Sequence, residues 1–176
     1  MLCCRIFSVL MASLSISLLL MALSTDYWKV SFAATGTSHS GLWQYCMNIG
    51  LPESQCFAVK DAFGYIIATR AFLIMASLAA LALHFFLIAT FLPSVCGVLG
   101  KPLFASVTAF VAGLFILIAL AVYTAETWNE KVPHDIQVSF AWSFYLGWIT
   151  FPLFLLAGIF NHVASLNAQS SSYERM

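Results

Sequence analysis

Four long and largely apolar stretches of this chain carry no Asp, Glu, Lys or Arg: residues 6–25, 71–100, 102–125 and 136–173. Crossing a hydrocarbon core takes roughly 20 apolar residues in a helix, and each stretch has room for one span. Lipid cannot hydrogen-bond a backbone, which leaves helices or closed barrels. The runs are continuously apolar and do not alternate, so helices are expected, near residues 6–25, 71–92, 102–124 and 137–161. Composition agrees: 8% of residues are charged and 62% hydrophobic, with mean hydropathy +0.94. A soluble domain carries about 25% charged residues.

Arg5 ahead of an apolar run resembles the start of a signal peptide. The run is longer than the roughly 7–15 residues of such peptides, so a retained span is expected. Loops are then expected at 26–70 and 125–136, with a tail at 162–176. An even number of spans puts both termini on one side. Basic residues do not fix that side, because Arg5, Lys101 and Arg175 face Lys29, Lys60, Arg70 and Lys131 across the membrane. Cysteines are more informative. Cys46 and Cys56 share the long loop, whereas Cys3, Cys4 and Cys96 fall on the other side. Disulfides persist in oxidising compartments, so a bonded pair would make this loop extracellular or lumenal and the termini cytosolic. Two free thiols in a cytosolic loop is the alternative.

Within the spans, small residues recur at four-residue spacing: Ser13 and Ser17, Ala76 and Ala80, then Ala105, Ala109 and Gly113. Such stripes let helix backbones approach closely, and a tight four-helix bundle is expected. His84 is the one ionisable side chain well inside a span. With no carboxylate in any of the expected spans to partner it, a neutral imidazole bonded to a neighbouring helix is expected. Pro152 should kink the fourth span. Trp28, Tyr123, Trp128, Trp142 and Tyr145 lie near span ends and read as aromatic-belt anchors. Arg70, at the outer edge of the second span, is expected to snorkel or to pair with a carboxylate such as Asp61.

Catalytic machinery has no candidate residues. The sequence holds no phosphate-binding glycine loop, no metal-ligand cluster and no nucleophile elbow. Its histidines (His39, His84, His134 and His162) are scattered, and no enzymatic activity, metal or cofactor is expected. Seven basic residues balance seven acidic ones, which gives no reason to expect a nucleic-acid partner. No Asn-x-Ser/Thr sequon is present, so N-glycosylation is not expected.

The long loop reads Trp28, Gly41-Leu42-Trp43, Cys46 and Cys56, with Arg70 where the second span begins. With four spans, this pattern resembles the claudin, peripheral myelin protein and epithelial membrane protein superfamily, over essentially the whole chain. The resemblance implies an all-α transmembrane four-helix bundle with a small extracellular β-sheet, and a disulfide between Cys46 and Cys56. Segments 23–28, 39–43, 121–124 and 140–148 are most similar to a branch serving the granules of cytotoxic lymphocytes. Segments 41–46 and 68–72 are nearer to a lens fibre membrane branch.

The first branch implies promotion of granule exocytosis, in granule or lysosomal and plasma membranes. The second implies cell–cell contact. A charge-selective pore is disfavoured, because Asp26, Glu53 and Asp61 cancel Lys29, Lys60 and Arg70 in the long loop. The ending Tyr173-Glu174-Arg175-Met176 resembles the tyrosine signals read by clathrin adaptors, with Tyr173 and Met176 as the anchors of an extended peptide. Cys3 and Cys4, at the cytosolic mouth of the first span, are candidates for palmitoylation. Membrane lipids and other membrane proteins are the expected partners, and the architecture is compatible with oligomers.

Overall fold

The computed structural model describes residues 2–34, 36–48, 50, 54–60, 62–91, 101–131 and 136–173. Four helices are long and apolar enough to cross a membrane. They are α1 (Leu2–Ser24), α2 (Gly64–Ala89), α3 (Pro102–Asn129) and α4 (Trp142–Tyr173). Each helix packs against its two neighbours in the ring α1–α2–α3–α4. Large apolar side chains such as Leu10, Leu78, Phe85 and Leu114 remain on the outside, as a lipid-facing surface requires.

Between α1 and α2 the chain forms β1 (Lys29–Ala33), β2 (Gly36–Ser40), β3 (Gln44–Asn48) and β4 (Gln55–Ala58). A fifth strand, β5 (Gln137–Phe140), precedes α4. All pairings are antiparallel, in the order β4-β3-β2-β1-β5. The sheet sits at the end of the bundle where α1 and α3 finish and α2 and α4 begin. Cys46 and Cys56 pair directly across β3 and β4 and are joined by a disulfide. The alternative of two free thiols in this loop is therefore set aside.

Several helix boundaries differ from the sequence expectation. Helix α2 starts at Gly64 and not at residue 71, because Tyr65 to Arg70 contain no breaker and the Arg70 charge is accommodated within the helix. Residues 137–140 belong to β5 and not to the fourth span. Their alternation of exposed Gln137 and Ser139 with half-buried Val138 and Phe140 has the period of a strand. Helix α4 then continues through the expected tail to Tyr173, since nothing from His162 to Tyr173 interrupts a helix already nucleated by the span. Helix α3 likewise runs on to Asn129, beyond the expected end at residue 124.

The small-residue stripes hold on α2 and α3, where Ala76, Ala80, Ala105, Ala109 and Gly113 are buried. On α1 the expectation chose the wrong face. Ser17 is exposed and Ser13 half-buried, while Ser8, Ala12, Ser15 and Leu19 face the bundle. A Cβ at Gly158 would lie 3.2 Å from the Ala109 Cβ, so α3 and α4 approach closely there. Pro152 lies inside α4, which continues through it, and it leaves the Trp148 carbonyl without the usual helical donor. Cys96, Asp61 and His134 lie outside the described residues.

Candidate functional site at the junction of sheet and bundle

The loop motif converges on one place. Trp28 is wholly buried, and its indole Nε1 donates to the Ala22 carbonyl at 2.7 Å. Tyr123 and Phe144 meet its ring edge to face, at centroid distances of 4.9 and 6.0 Å. Phe140 from β5 stacks on Phe144 at 4.2 Å and completes the cluster. Trp28 and Tyr123 are thus core residues and not belt anchors. Trp128, Trp142 and Tyr145 do remain exposed near the helix ends. The backbone on either side of Trp28 is fixed as well: its N–H donates to Ser40, and its carbonyl accepts from Ala141.

Gly41 lets the β2–β3 turn close against the end of α1. A Cβ there would stand 2.4 Å from the Asp26 Cα and 2.7 Å from the Thr25 carbonyl oxygen, distances that no side chain tolerates. Leu42, next in the chain, is fully buried in the bundle core. Trp43 turns outward, and its Nε1 donates to the Leu23 carbonyl at 2.8 Å.

Arg70 on α2 donates from Nε to the Leu42 carbonyl at 2.8 Å, and from Nη2 to the same oxygen. Its guanidinium lies over the Trp43 ring, 4.7 Å from the centroid. The guanidinium is thus turned to the Leu42 carbonyl and the Trp43 ring, while Asp61, the carboxylate expected as its partner, lies outside the described residues. A forked cation can serve one carbonyl twice and still cover an aromatic face.

Sequence reading identified Trp28, Gly41, Leu42, Trp43 and Arg70 as one motif, and the fold brings all five together. It missed their polar partners. Thr25 and Ser143 join hydroxyls at 2.6 Å, and Ser143 also donates to the Ala22 carbonyl at 3.2 Å. Lys29 on β1 forms a 2.6 Å ion pair with Glu130, just past α3. Nothing in the spacing of these residues points to such contacts.

The remaining candidates lie elsewhere. Cys3 and Cys4 are free thiols at the opposite end of α1, Cys3 exposed and Cys4 half-buried. Tyr173 is the last residue of α4, and Met176 lies outside the described residues. His84 receives the expected interhelical bond, with Ser13 of α1 at 3.1 Å from Nε2. Its Nδ1 lies 3.0 Å from the Ala80 carbonyl, which can only accept. In the neutral ring Nδ1 therefore carries the proton, and the Ser13 hydroxyl donates to Nε2.

A ring of four membrane-length helices, with an antiparallel sheet rooted in its core by buried tryptophan, defines a multi-pass membrane protein with a structured cap on one side. The chain belongs to the PMP-22/EMP/MP20/Claudin family, whose sequence profile matches residues 1–161. It is 38% identical to Protein NKG7 of Mus musculus and 36% identical to Protein NKG7 of Homo sapiens, each over 173 residues covering 98% of both chains. It is also 33% identical to Lens fiber membrane intrinsic protein of Rattus norvegicus, over 144 residues covering 81% of this chain and 80% of that one.

Proposed function

We propose that the chain is a non-enzymatic protein of granule and lysosome-related membranes, reaching the plasma membrane as well, that promotes granule trafficking and exocytosis in cytotoxic lymphocytes. The observation that carries this reading is the extent of the likeness to Protein NKG7, which covers 98% of both chains. The family profile stops at residue 161, and the likeness to the lens protein covers 81% of the chain. The tail beyond residue 161 holds the adaptor-like tetrapeptide. At about 1.5 Å per residue, a helix carries Tyr173 roughly 18 Å past Asn161, well clear of a membrane surface. An adaptor would read the four residues from Tyr173 onward. In this reading the disulfide-linked sheet faces the granule lumen or the cell exterior, and both termini face the cytosol.

Co-localisation of the full chain with a granule marker and a junction marker tests the reading, together with Tyr173→Ala. Granule residence that shifts to the plasma membrane in the variant is expected. Granule residence unchanged in the variant would remove the sorting signal, and absence of the parent chain from granules would remove the granule role. A contact function is the second reading, favoured by the cross-strand pair Tyr45 and Phe57, both exposed on the sheet. Enrichment at junctions in transfected epithelium would select it.

A further inference from the structure

A cleft of about 430 Å³ opens between the end of α3 and the start of α4, lined by Thr127, Trp128, Glu130, Ser139, Phe140 and Tyr145 among others. We propose that it seats the headgroup of a choline phospholipid from the leaflet on the sheet's side. Its size falls within the roughly 300–1,000 Å³ of small-molecule pockets. Its depth is also suitable. Trp128 stands in the last turn of α3 and Tyr145 in the first turn of α4, so the mouth lies where two spans leave the apolar layer.

The lining matches a quaternary ammonium in particular. That group has no hydrogen-bond donor and is held by aromatic faces and nearby negative charge. Trp128 is 80% exposed and has no ring or hydrogen-bond partner among the described residues, and Tyr145 is 55% exposed. Phe140 is held at the back by its stacking on Phe144. Glu130 supplies the carboxylate, fixed through Oε2 by Lys29. Because Lys29 balances the Glu130 charge, discrimination against an anionic headgroup rests on the aromatic faces, which attract a cation that such a headgroup lacks. The aromatics thus do more than anchor the chain at the interface: they select a headgroup.

The test reconstitutes the full chain with an equimolar mixture of phosphatidylcholine, phosphatidylethanolamine and phosphatidylglycerol of identical acyl chains. The lipids that copurify are quantified by mass spectrometry. Phosphatidylcholine should be enriched over both others. Trp128→Ala should lower the choline-to-ethanolamine ratio by about threefold to tenfold, the worth of one partly exposed cation–π contact. Tyr145→Ala should lower it similarly, while Tyr145→Phe, which keeps the ring, should preserve it. Trp142→Ala removes an exposed interfacial aromatic outside the cleft and should leave the ratio unchanged. Each variant is first checked for parental elution volume and an intact Cys46–Cys56 disulfide. Trp128→Phe, with an intermediate effect expected, replaces Trp128→Ala if that variant fails the check. Equal retention of the three lipids by the parent chain would overturn the proposal, as would an unchanged ratio in the Trp128 variant. An equal loss in Trp142→Ala would reduce the cleft to part of a general aromatic belt and overturn it too.

Discussion

Trp28 and Trp43 finish helix α1 together, their indole N–H groups donating to the successive carbonyls of Ala22 at 2.7 Å and Leu23 at 2.8 Å. The last carbonyls of a helix have no intrahelical donor and are often served by a following left-handed glycine or by water. Here no left-handed glycine follows α1. Two aromatic donors from the sheet take that place, and the Thr25 hydroxyl serves Met21 at 2.8 Å. The helix end and the sheet are therefore one hydrogen-bonded unit.

The two tryptophans should differ sharply on substitution. Trp28→Ala empties a fully buried site and leaves the Ala22 carbonyl with only the longer Ser143 bond. Core aromatic truncations cost about 3–5 kcal/mol. Trp43→Phe keeps a ring under Arg70 and loses one hydrogen bond, worth about 0.5–1.5 kcal/mol. Denaturation in detergent, followed by loss of the parental elution peak, should rank them in that order. Equal losses would contradict the placement of Trp28 in the core.

Arg70→Lys should behave as a disruptive change despite keeping its charge. A lysine can reach the Leu42 carbonyl with one donor, but it cannot bond that oxygen twice and cover the Trp43 ring. The loss should be about 1–2 kcal/mol, the scale of a charged hydrogen bond with part of a cation–π contact. Arg70→Gln, which removes the cation, should lose at least as much in the same unfolding assay. Parental stability of Arg70→Lys would mean that charge alone suffices at this position.

The Ser13–His84 bond is open to a double-mutant cycle. Interhelical hydrogen bonds within membranes average about 0.6 kcal/mol, with a maximum near 1.7. Ser13→Ala combined with His84→Ala should give a coupling energy inside that range, and each single variant should still fold. Coupling of zero would show that the imidazole is satisfied by the Ala80 carbonyl alone.

Gly41→Ala should be the least tolerated of the conservative changes. The added Cβ would meet backbone atoms of Asp26 and Thr25 and not a flexible side chain, so relief requires the turn to separate from α1. That separation would carry Leu42 out of the core and break the Arg70 contact. Failure to leave the endoplasmic reticulum, read by cell-surface and granule labelling, is the expected outcome. Normal export of the variant would show that the junction can open without cost.

The bundle could be read in advance because its signal is long-range and one-dimensional. A long run that is both apolar and without charge marks a span whatever packs against it, and each of the four such runs holds one helix. Short elements were harder. Gln137–Phe140 looked like the start of a span because it is uncharged, yet its alternation is that of β5. Arg70 was assigned to the edge of the membrane because sequence displays its charge and hides the carbonyl that neutralises its donors. Trp28 and Trp142 look alike as interfacial tryptophans in sequence. Only the fold distinguishes the first, sealed between Tyr123 and Phe144, from the second, exposed beside Tyr27. On α1, serine is frequent on several faces, so the four-residue spacing of Ser13 and Ser17 could not identify the packed one.

The Lys29–Glu130 pair joins the first strand of the sheet to the chain just beyond α3, and charge exchange tests whether it holds those parts together. Its side chains retain 17% and 38% of their exposure, so solvent screens the pair and its worth is about 0.2–1 kcal/mol. Lys29→Glu replaces attraction by repulsion and should destabilise by more than loss of the pair alone. Glu130→Lys should do the same with the opposite sign of charge. The double exchange restores opposite charges at the same two positions and should recover most of the loss. Raising the salt concentration should narrow the gap between single and double variants, because screening acts on repulsion and attraction alike. A double variant no more stable than either single one would mean that the two side chains contribute through separate contacts, and β1 would then depend on its strand neighbours and on Trp28 for its attachment to the bundle.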